Sequence, residues 1–255
     1  MADSDFSLAG KTILQVGGSG LLGQALTTSL TAAGARLVVG SRQTTARTAT
    51  AGGDNVQIER VDVTSEESLQ ALRDRILETR LRIDGLVFNT VARPMNAFQD
   101  PLATWKSSME VNATGLFATL RIFGDAMVEN RAGSIVSIAS IQGMVGTNSW
   151  LYEGTTITSP PDYFFHKGGL LNLTRYLAAH YGPHNIRVNA VSPGGICNPQ
   201  RPQAPEFLER YSAMTMLGRM AEAHEIGSAV VYLLSDASRY VTGINLPVDG
   251  GYTAK

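Results

Sequence analysis

The chain has 255 residues, of which 44% are hydrophobic and 17% are charged, and its formal net charge is -1 at pH 7. A chain of this length and composition can bury a large core, and we expect one α/β domain that spans residues 1–255. Because the charge is nearly balanced, it gives no reason to expect nucleic acid or an anionic membrane as a partner.

The cysteine content and the chain start predict a compartment. The single cysteine, Cys197, excludes an internal disulfide framework and fits a reducing compartment. The first residues lack the basic and apolar regions of a secretory signal, and no apolar run approaches the ~20 residues that cross a bilayer. We therefore expect a soluble, cytoplasmic protein, and no metal site is predicted.

Short apolar runs alternate with helical patterns in the first part of the chain. Strands are predicted at residues 12–16, 36–39, 56–61 and 86–89. One helix is predicted from the glycine turn at 17–23 to Ala33, and a second from Ser65 to about Leu81. This alternation indicates parallel strands joined by right-handed helical crossovers.

The second part of the chain continues the alternation. Further helices are predicted at about 101–128, 163–181, 205–213 and 223–234. Further strands are predicted at 134–138, 186–191 and 244–248. The fold class is thus α/β, a doubly wound parallel sheet of about seven strands with helices on both faces. Residues 141–161 are predicted to form an inserted active-site loop, and about 194–220 a substrate-side excursion.

A glycine turn, Gly17-Gly18-Ser19-Gly20-Leu21-Leu22-Gly23, follows the first strand and opens the first helix. Unpaired backbone N–H groups and the positive end of the helix dipole suit a pyrophosphate at such a turn. The strand–turn–helix context favours dinucleotide binding over a plain tight turn.

The segment Gly40-Ser41-Arg42 follows the second strand, where NAD-binding chains commonly carry an acidic residue for the ribose. A small neutral residue followed by arginine removes repulsion toward a 2′-phosphate and supplies a planar charged donor. NADP(H) is therefore favoured over NAD(H), with a solvated Arg42 as the alternative. Asp62 and Val63, after the third strand, are predicted to flank the adenine, although Asp62 could equally cap the next helix.

Tyr163 and Lys167 lie four residues apart in a predicted helix and therefore share one face. A nearby cation favours the phenolate, so Tyr163 could exchange a proton with a substrate oxygen closer to neutral pH. The alternative is a solvated pair on an amphipathic face. Gly168 and Gly169 would let this helix pack closely on another backbone.

Taken together, these residues resemble the short-chain dehydrogenase/reductase family over about residues 11–252, which implies a single-domain Rossmann-type fold. The resemblance implies catalytic roles for Asn112, Ser140, Tyr163 and Lys167. It implies that Pro193 and Gly194 lie beside the nicotinamide. The complete predicted cofactor-binding set is Gly17, Ser19, Gly20, Leu22, Gly23, Ser41, Arg42, Asp62, Val63, Asn89, Lys167, Pro193, Gly194 and Ile196.

The chain departs from the family pattern at several places. Leu21 stands where a middle glycine is usual, so the glycines fit G-x-x-G-x-x-G, a spacing more usual in the nucleotide-sugar-acting branch. The segment after the fourth strand reads Phe88-Asn89-Thr90-Val91 and keeps only one residue of the usual pattern. Cys197 stands where a threonine often contacts the carboxamide. Ser140 and Tyr163 are about ten residues farther apart than usual, which defines the inserted loop.

The resemblance implies an NAD(P)(H)-dependent oxidoreductase that interconverts a secondary alcohol and a ketone, with a sugar-like substrate as one candidate. Trp150, Tyr152 and Cys197 are predicted to line the substrate pocket, although Trp150 and Tyr152 could equally pack the inserted loop. Two alternatives remain: a dinucleotide-binding sensor without turnover, and a nucleotide-sugar epimerase or dehydratase. The expected assembly is a homotetramer, or failing that a dimer.

Overall fold

The computed structural model describes residues 5–42 and 55–255; the rest of the predicted domain, residues 1–4 and 43–54, lies outside the described residues. Seven parallel strands form one sheet with the order β3-β2-β1-β4-β5-β6-β7. Their bounds are β1 Thr12–Val16, β2 Arg36–Ser41, β3 Val56–Arg60, β4 Gly85–Phe88, β5 Gly133–Ile138, β6 Ile186–Pro193 and β7 Asn245–Val248. The strand order reverses between β1 and β4, so the predicted doubly wound sheet is confirmed.

Helices cover both faces of the sheet. Their bounds are α1 Leu21–Ala32, α2 Glu66–Glu78, α3 Leu102–Met109, α4 Leu116–Val128, α5 Pro161–Tyr181, α6 Pro205–Met214 and α7 Ala223–Leu234. The region predicted as one long helix is divided by a π-helical turn at Glu110–Gly115. Such turns often occur at functional sites, and this one carries Asn112.

Two apolar layers hold the helices to the sheet because successive strand residues point to opposite faces. Leu14 and Leu86 belong to the layer under α2, α4 and α5, whereas their neighbours Ile13 and Val87 belong to the layer under α1 and α7. All four side chains are fully buried. The continuous apolar runs of the sequence are therefore explained by burial on both faces.

Helix boundaries follow local capping chemistry. Ser65 caps α2 by accepting a hydrogen bond from the Ser68 N–H. The alternative that Asp62 caps this helix is wrong, because its carboxylate accepts from Thr64 within the preceding turn. α5 begins at Pro161, which suits the first helical position because proline lacks the N–H that would be unpaired there.

The inserted loop packs against the excursion that follows β6. It contains two 3₁₀ turns, Ile141–Gly143 and Ser149–Tyr152. Leu151 in the second turn is buried against Phe207, Tyr211 and Met220 of the excursion. The two segments thus form one wall above the carboxyl ends of β5 and β6. No helix in the described part of the chain is long and apolar enough to cross a lipid bilayer.

Candidate active site

A cleft of about 1010 Å³ opens at the carboxyl ends of the strands, where the strand order reverses. Ligands of open α/β sheets bind in this position. The structure brings most of the predicted site residues to this cleft. Those lining it are Gly17, Ser19, Gly20, Leu22, Gly23, Ser41, Arg42, Asp62, Val63, Asn89, Ser140, Tyr152, Tyr163, Lys167, Pro193, Gly194 and Ile196.

The glycine turn is shaped by backbone contacts that leave no room for side chains. Gly17 has φ +101°, and a Cβ there would lie 2.8 Å from the backbone nitrogen of Thr90. A Cβ on Gly23 would lie 2.7 Å from the Gly17 carbonyl oxygen. That carbonyl also accepts a hydrogen bond of 2.9 Å from Asn89. The turn after β1 and the turn after β4 are therefore fitted to one another.

The first turn of α1 suits an anion. Gly20 precedes this helix and provides no side-chain hydrogen bond to it, and the first turn holds no acidic residue. A Cβ on Gly20 would meet open space, and Leu21 and Leu22 line the cleft. In the described chain, the first N–H groups of α1 thus face the cleft without a side-chain cap, as a pyrophosphate requires.

The end of the cleft beyond β2 holds two opposite charges. Arg42 is exposed and lines the cleft. Hydrogen bonds from the backbone and the hydroxyl of Thr64 hold the pKa of Asp62 below its ordinary value, and Arg42 and Arg60 lower it further against the effect of burial. An ionised carboxylate therefore lies near the predicted contact for a 2′-phosphate.

Lys167 is fixed beneath Tyr163. Its Nζ donates a hydrogen bond of 2.6 Å to the Ile138 carbonyl at the end of β5, and it lies 5.7 Å from the centre of the Tyr163 ring. The predicted close packing of this helix is made between Gly143 and the backbone of Lys167 and Gly168. A Cβ on Gly143 would lie 2.6 Å from the Lys167 carbonyl oxygen, a Cβ on Gly168 would lie 3.6 Å from the Gly143 carbonyl oxygen, and Gly169 faces open space.

The pKa of Tyr163 reflects a balance of opposing effects. Burial raises it, but the cations of Lys167 and Arg93 and hydrogen bonds from Ser140 and Arg93 outweigh burial and lower it below its ordinary value of 10.0. Burial in turn lowers the pKa of Lys167, an effect that Tyr163 opposes and Arg93 reinforces. The phenol is thus adapted to gain and lose a proton.

Arg93 is a site residue that sequence reasoning missed. Its guanidinium carbon lies 4.4 Å from the centre of the Tyr163 ring, and its exposed side chain lines the cleft. Its position in the sequence could have indicated a role, because Arg93 is four residues beyond Asn89 and so lies near the same edge of the sheet as the other site residues. The segment had already departed from the family pattern at Thr90 and Val91.

Asn112 is buried and does not line the cleft. Its side chain accepts from the Ala92 N–H at 2.9 Å and donates to the Ala92 carbonyl at 2.7 Å. It also donates to Ser108, whose hydroxyl donates to the buried carboxylate of Asp162 beside Tyr163. A chain of side-chain hydrogen bonds therefore joins the segment that carries Arg93 to the first turn of α5.

Two of the three predicted substrate-pocket residues lie outside the cleft. Trp150 is exposed and stacks over Arg210 at 5.7 Å, because its neighbour Leu151 is the residue buried in that turn. Cys197 packs with the apolar cluster around Leu151 and does not line the cleft. Tyr152 does line it and accepts a hydrogen bond of 3.1 Å from Gln142. The cleft residues that sequence reasoning did not name include Gln142, Asn148, Asn198, Arg201, Gln203, Tyr211 and Tyr252.

The geometry agrees with comparisons to known proteins. A family model described as enoyl-(acyl carrier protein) reductase matches residues 19–253. The chain belongs to the short-chain dehydrogenase/reductase family. It is 36% identical to 2,5-dichloro-2,5-cyclohexadiene-1,4-diol dehydrogenase of Sphingobium indicum, over 97% of this chain and 98% of that protein.

Solved structures of the family share the fold. A short-chain dehydrogenase from Leptospira borgpetersenii with bound NAD⁺ superposes with a TM-score of 0.89 and 27% identity, over 98% of this chain and 95% of the other. A gluconate 5-dehydrogenase from Burkholderia cenocepacia in complex with NADP and tartrate gives 0.87 and 26%, over 100% of both chains. The chain is therefore a dinucleotide-dependent oxidoreductase that acts on CH–OH groups.

His166 generates a prediction about stability. It is buried beside Tyr163, and burial together with Lys167 and Arg93 lowers its pKa to about 3. Below about pH 6.5 the unfolded chain binds a proton here that the folded chain does not, so this residue lowers stability as pH falls toward 3, by about 1.4 kcal/mol per pH unit. Urea unfolding of His166→Gln at several pH values should show a shallower loss than wild type.

The matched control is His224→Gln, which replaces an exposed histidine. It should keep the wild-type dependence on pH. Parallel curves for wild type and His166→Gln between pH 6 and 4 would contradict the assignment.

Proposed function

We propose that the chain is an NADP(H)-preferring dehydrogenase/reductase that interconverts a secondary alcohol and a ketone with Tyr163 as the acid/base. The observation that carries this proposal is the phenol itself, hydrogen-bonded to Ser140 and flanked by Lys167 and Arg93 in a cleft that begins at the glycine turn. A tyrosine with a lowered pKa, at the position that matches the family's active-site tyrosine, suits proton transfer to a carbonyl oxygen.

The side chains have distinct parts in the reaction. In oxidation, Tyr163 Oη takes the proton of the substrate hydroxyl, and in reduction it returns a proton to the carbonyl oxygen. When substrate binds, the single Ser140 hydroxyl proton turns from Tyr163 to that oxygen and fixes its place beside Tyr163. Lys167 stabilises the phenolate by its charge. The nicotinamide cofactor, when bound, accepts or supplies the hydride.

The cofactor would be held by residues of three turns and by Lys167 of α5. The N–H groups at the start of α1 would bind the pyrophosphate, and Lys167 would bind the ribose next to the nicotinamide. Pro193, Gly194 and Ile196 would hold the nicotinamide, and Val63 the adenine. The open space at Gly20 and the uncapped start of α1 support this placement.

Preference for NADP(H) is proposed from Arg42. Its side chain is exposed at the end of the cleft beyond β2 and offers a planar, charged donor to a 2′-phosphate. Asp62 reduces the gain in NADP(H) affinity, because its carboxylate is close enough to Arg42 for the guanidinium to lower the pKa of Asp62. Family members bind both cofactors, so the proposal depends on this residue.

A sugar-like substrate fits the polar wall of the cleft. Asn148 and Tyr152 of the inserted loop line the cleft, as do Asn198, Gln203 and Tyr211 of the excursion. Amide and hydroxyl groups of this kind form hydrogen bonds with several hydroxyls of one substrate. The name of the gluconate 5-dehydrogenase relative supports the same class.

A homotetramer, or failing that a dimer, is proposed from apolar side chains exposed on the long helices. Leu102, Phe117, Phe165 and Tyr176 of α3, α4 and α5 are between 42% and 78% exposed. Exposed apolar side chains on neighbouring helices favour association of identical subunits.

The first prediction tests the acid/base. Tyr163→Phe should lower turnover by a factor of roughly 10² to 10⁴ and leave NADPH binding nearly unchanged, since the ring stays and only the hydroxyl is lost. Lys167→Ala should weaken both turnover and NADPH binding. Steady-state rates and fluorescence titration with NADPH measure the two properties. Full activity of Tyr163→Phe would refute the mechanism, and NADPH binding without turnover of any carbonyl would favour a sensor.

The second prediction concerns cofactor choice. NADPH should bind more tightly than NADH, and Arg42→Ala should weaken NADPH by about tenfold to a hundredfold while sparing NADH, because a charged hydrogen bond contributes about 1.5–3 kcal/mol. Arg36→Ala, at the opposite end of β2, is the control and should bind both as wild type does. Equal or tighter NADH binding by wild type would contradict the preference.

The third prediction concerns assembly. Light scattering at micromolar concentration should give four times the chain mass, or twice that mass if only one helical face associates. Phe165→Glu places a charge on the exposed face of α5 and should lower the mass. Tyr240→Glu, at a fully exposed position after α7, should not. A monomer mass for wild type would refute the assembly.

A further inference from the structure

The substrate end of the cleft is positively charged. Arg93 and Lys167 line the cleft at Tyr163, and Arg201 of the excursion after β6 also lines the cleft. Among the described residues, the only carboxylate that lines the cleft is Asp62, which follows β3 at the opposite end. Two other carboxylates, Asp162 and Asp249, do not line the cleft; one oxygen of Asp162 accepts from Ser108, and Asp249 accepts from Thr253. The described structure thus provides no counter-charge within the cleft for Arg93.

The orientation of Arg93 is constrained by its contact with Tyr163. A guanidinium 4.4 Å from the ring centre stacks on the aromatic face, and one of its donors stabilises the phenol oxygen. Guanidinium is planar and carries five donors, so this contact leaves further donors for a second oxygen ligand. A carboxylate is the ligand whose two oxygens match those donors.

The backbone that carries Arg93 is held in place before any ligand binds. Asn112 makes two hydrogen bonds with Ala92, and the same asparagine connects through Ser108 to Asp162 at the start of α5. The segment with Arg93 and the helix with Tyr163 are therefore fixed relative to one another. A preorganised cation loses less conformational freedom when it binds an anion.

We propose that the substrate is a hydroxy acid and that Arg93 binds its carboxylate. Because Arg93 contacts the phenol that exchanges the proton, the carboxylate must be attached to the reacting carbinol carbon or to the carbon next to it. The substrate is thus a 2-hydroxy or 3-hydroxy acid, or the matching oxo acid. This inference rests on the proposed function, since it assumes that the reacting oxygen lies at Tyr163.

The test compares acids with neutral molecules of the same carbon skeleton. The pairs are lactate with propane-1,2-diol, 3-hydroxybutyrate with butane-1,3-diol, and gluconate with sorbitol, each assayed with NADP⁺. In at least one pair wild type should use the acid with about tenfold or higher kcat/KM, since a charged bidentate contact is worth about that factor. Arg93→Gln should remove this preference mainly through KM, and Arg93→Lys should keep part of it.

Two control variants locate the effect. Arg239→Gln changes an exposed arginine that pairs with Asp5 outside the cleft, and it should behave as wild type. Arg201→Gln removes the other cation of the substrate end and should alter the preference less than Arg93→Gln. Loss of the preference in Arg201→Gln alone would overturn the proposal, because the carboxylate would then lie away from the carbinol. Equal losses for acid and diol in Arg93→Gln would also overturn it.

A binding measurement separates this proposal from the proposed function. Calorimetric titration with each hydroxy acid in the presence of NADPH, with which a hydroxy acid forms no product, reports binding without turnover. Binding of at least one acid that weakens about tenfold in Arg93→Gln supports the carboxylate contact even if no pair is turned over, in which case only the proposed function fails. Turnover of diols without binding of any acid leaves the proposed function standing and overturns the carboxylate contact.

Discussion

The buried ammonium of Lys167 is the constraint on which the active site depends. A cation that is 5% exposed is unfavourable unless polar partners replace water. The carbonyl of Ile138 supplies one partner at the end of β5, and the phenol of Tyr163 supplies the other by stabilising the charged form. The three groups are therefore one unit, because the carbonyl at the strand end fixes the ammonium, and the charges of Lys167 and Tyr163 shift each other's pKa.

A second constraint couples the two halves of the cleft. The turn after β1 and the turn after β4 touch at Gly17, where a side chain would collide with Thr90, and Asn89 bonds the Gly17 carbonyl. Three residues beyond Asn89, Ala92 is held by Asn112. The segment from Asn89 to Arg93 is therefore short and is held by hydrogen bonds at both Asn89 and Ala92. The position of the glycine turn thus also limits the position of Arg93.

The parts that could be predicted from sequence are those set by local pattern. Strand positions follow from apolar runs, and helical spacing places Tyr163 and Lys167 on one face of a helix, so both could be predicted from the sequence. The place of Trp150 depended instead on which residue of its turn would be buried, and the excursion after β6 decided that in favour of Leu151. The contact between Arg93 and Tyr163 depended on the distance between two segments that are far apart in sequence. Neither relation has a periodic signal.

One departure from the family pattern, Leu21, lies in the glycine turn, whereas Cys197 and the inserted loop lie in the wall that the excursion after β6 completes, and the sheet keeps its place. This distribution fits a fold whose scaffold is shared and whose specificity lies in its loops. Arg93 adds a chemical consequence to that rule. The Arg93 guanidinium forms no ion pair within the described part of the chain, and its charge favours the phenolate of Tyr163; a substrate carboxylate bound to the same guanidinium would offset part of that charge. The proton affinity of Tyr163 would then rise when an acid binds and stay low with a neutral alcohol, so the charge of the substrate would help to set the acid/base strength of the group that reacts with it.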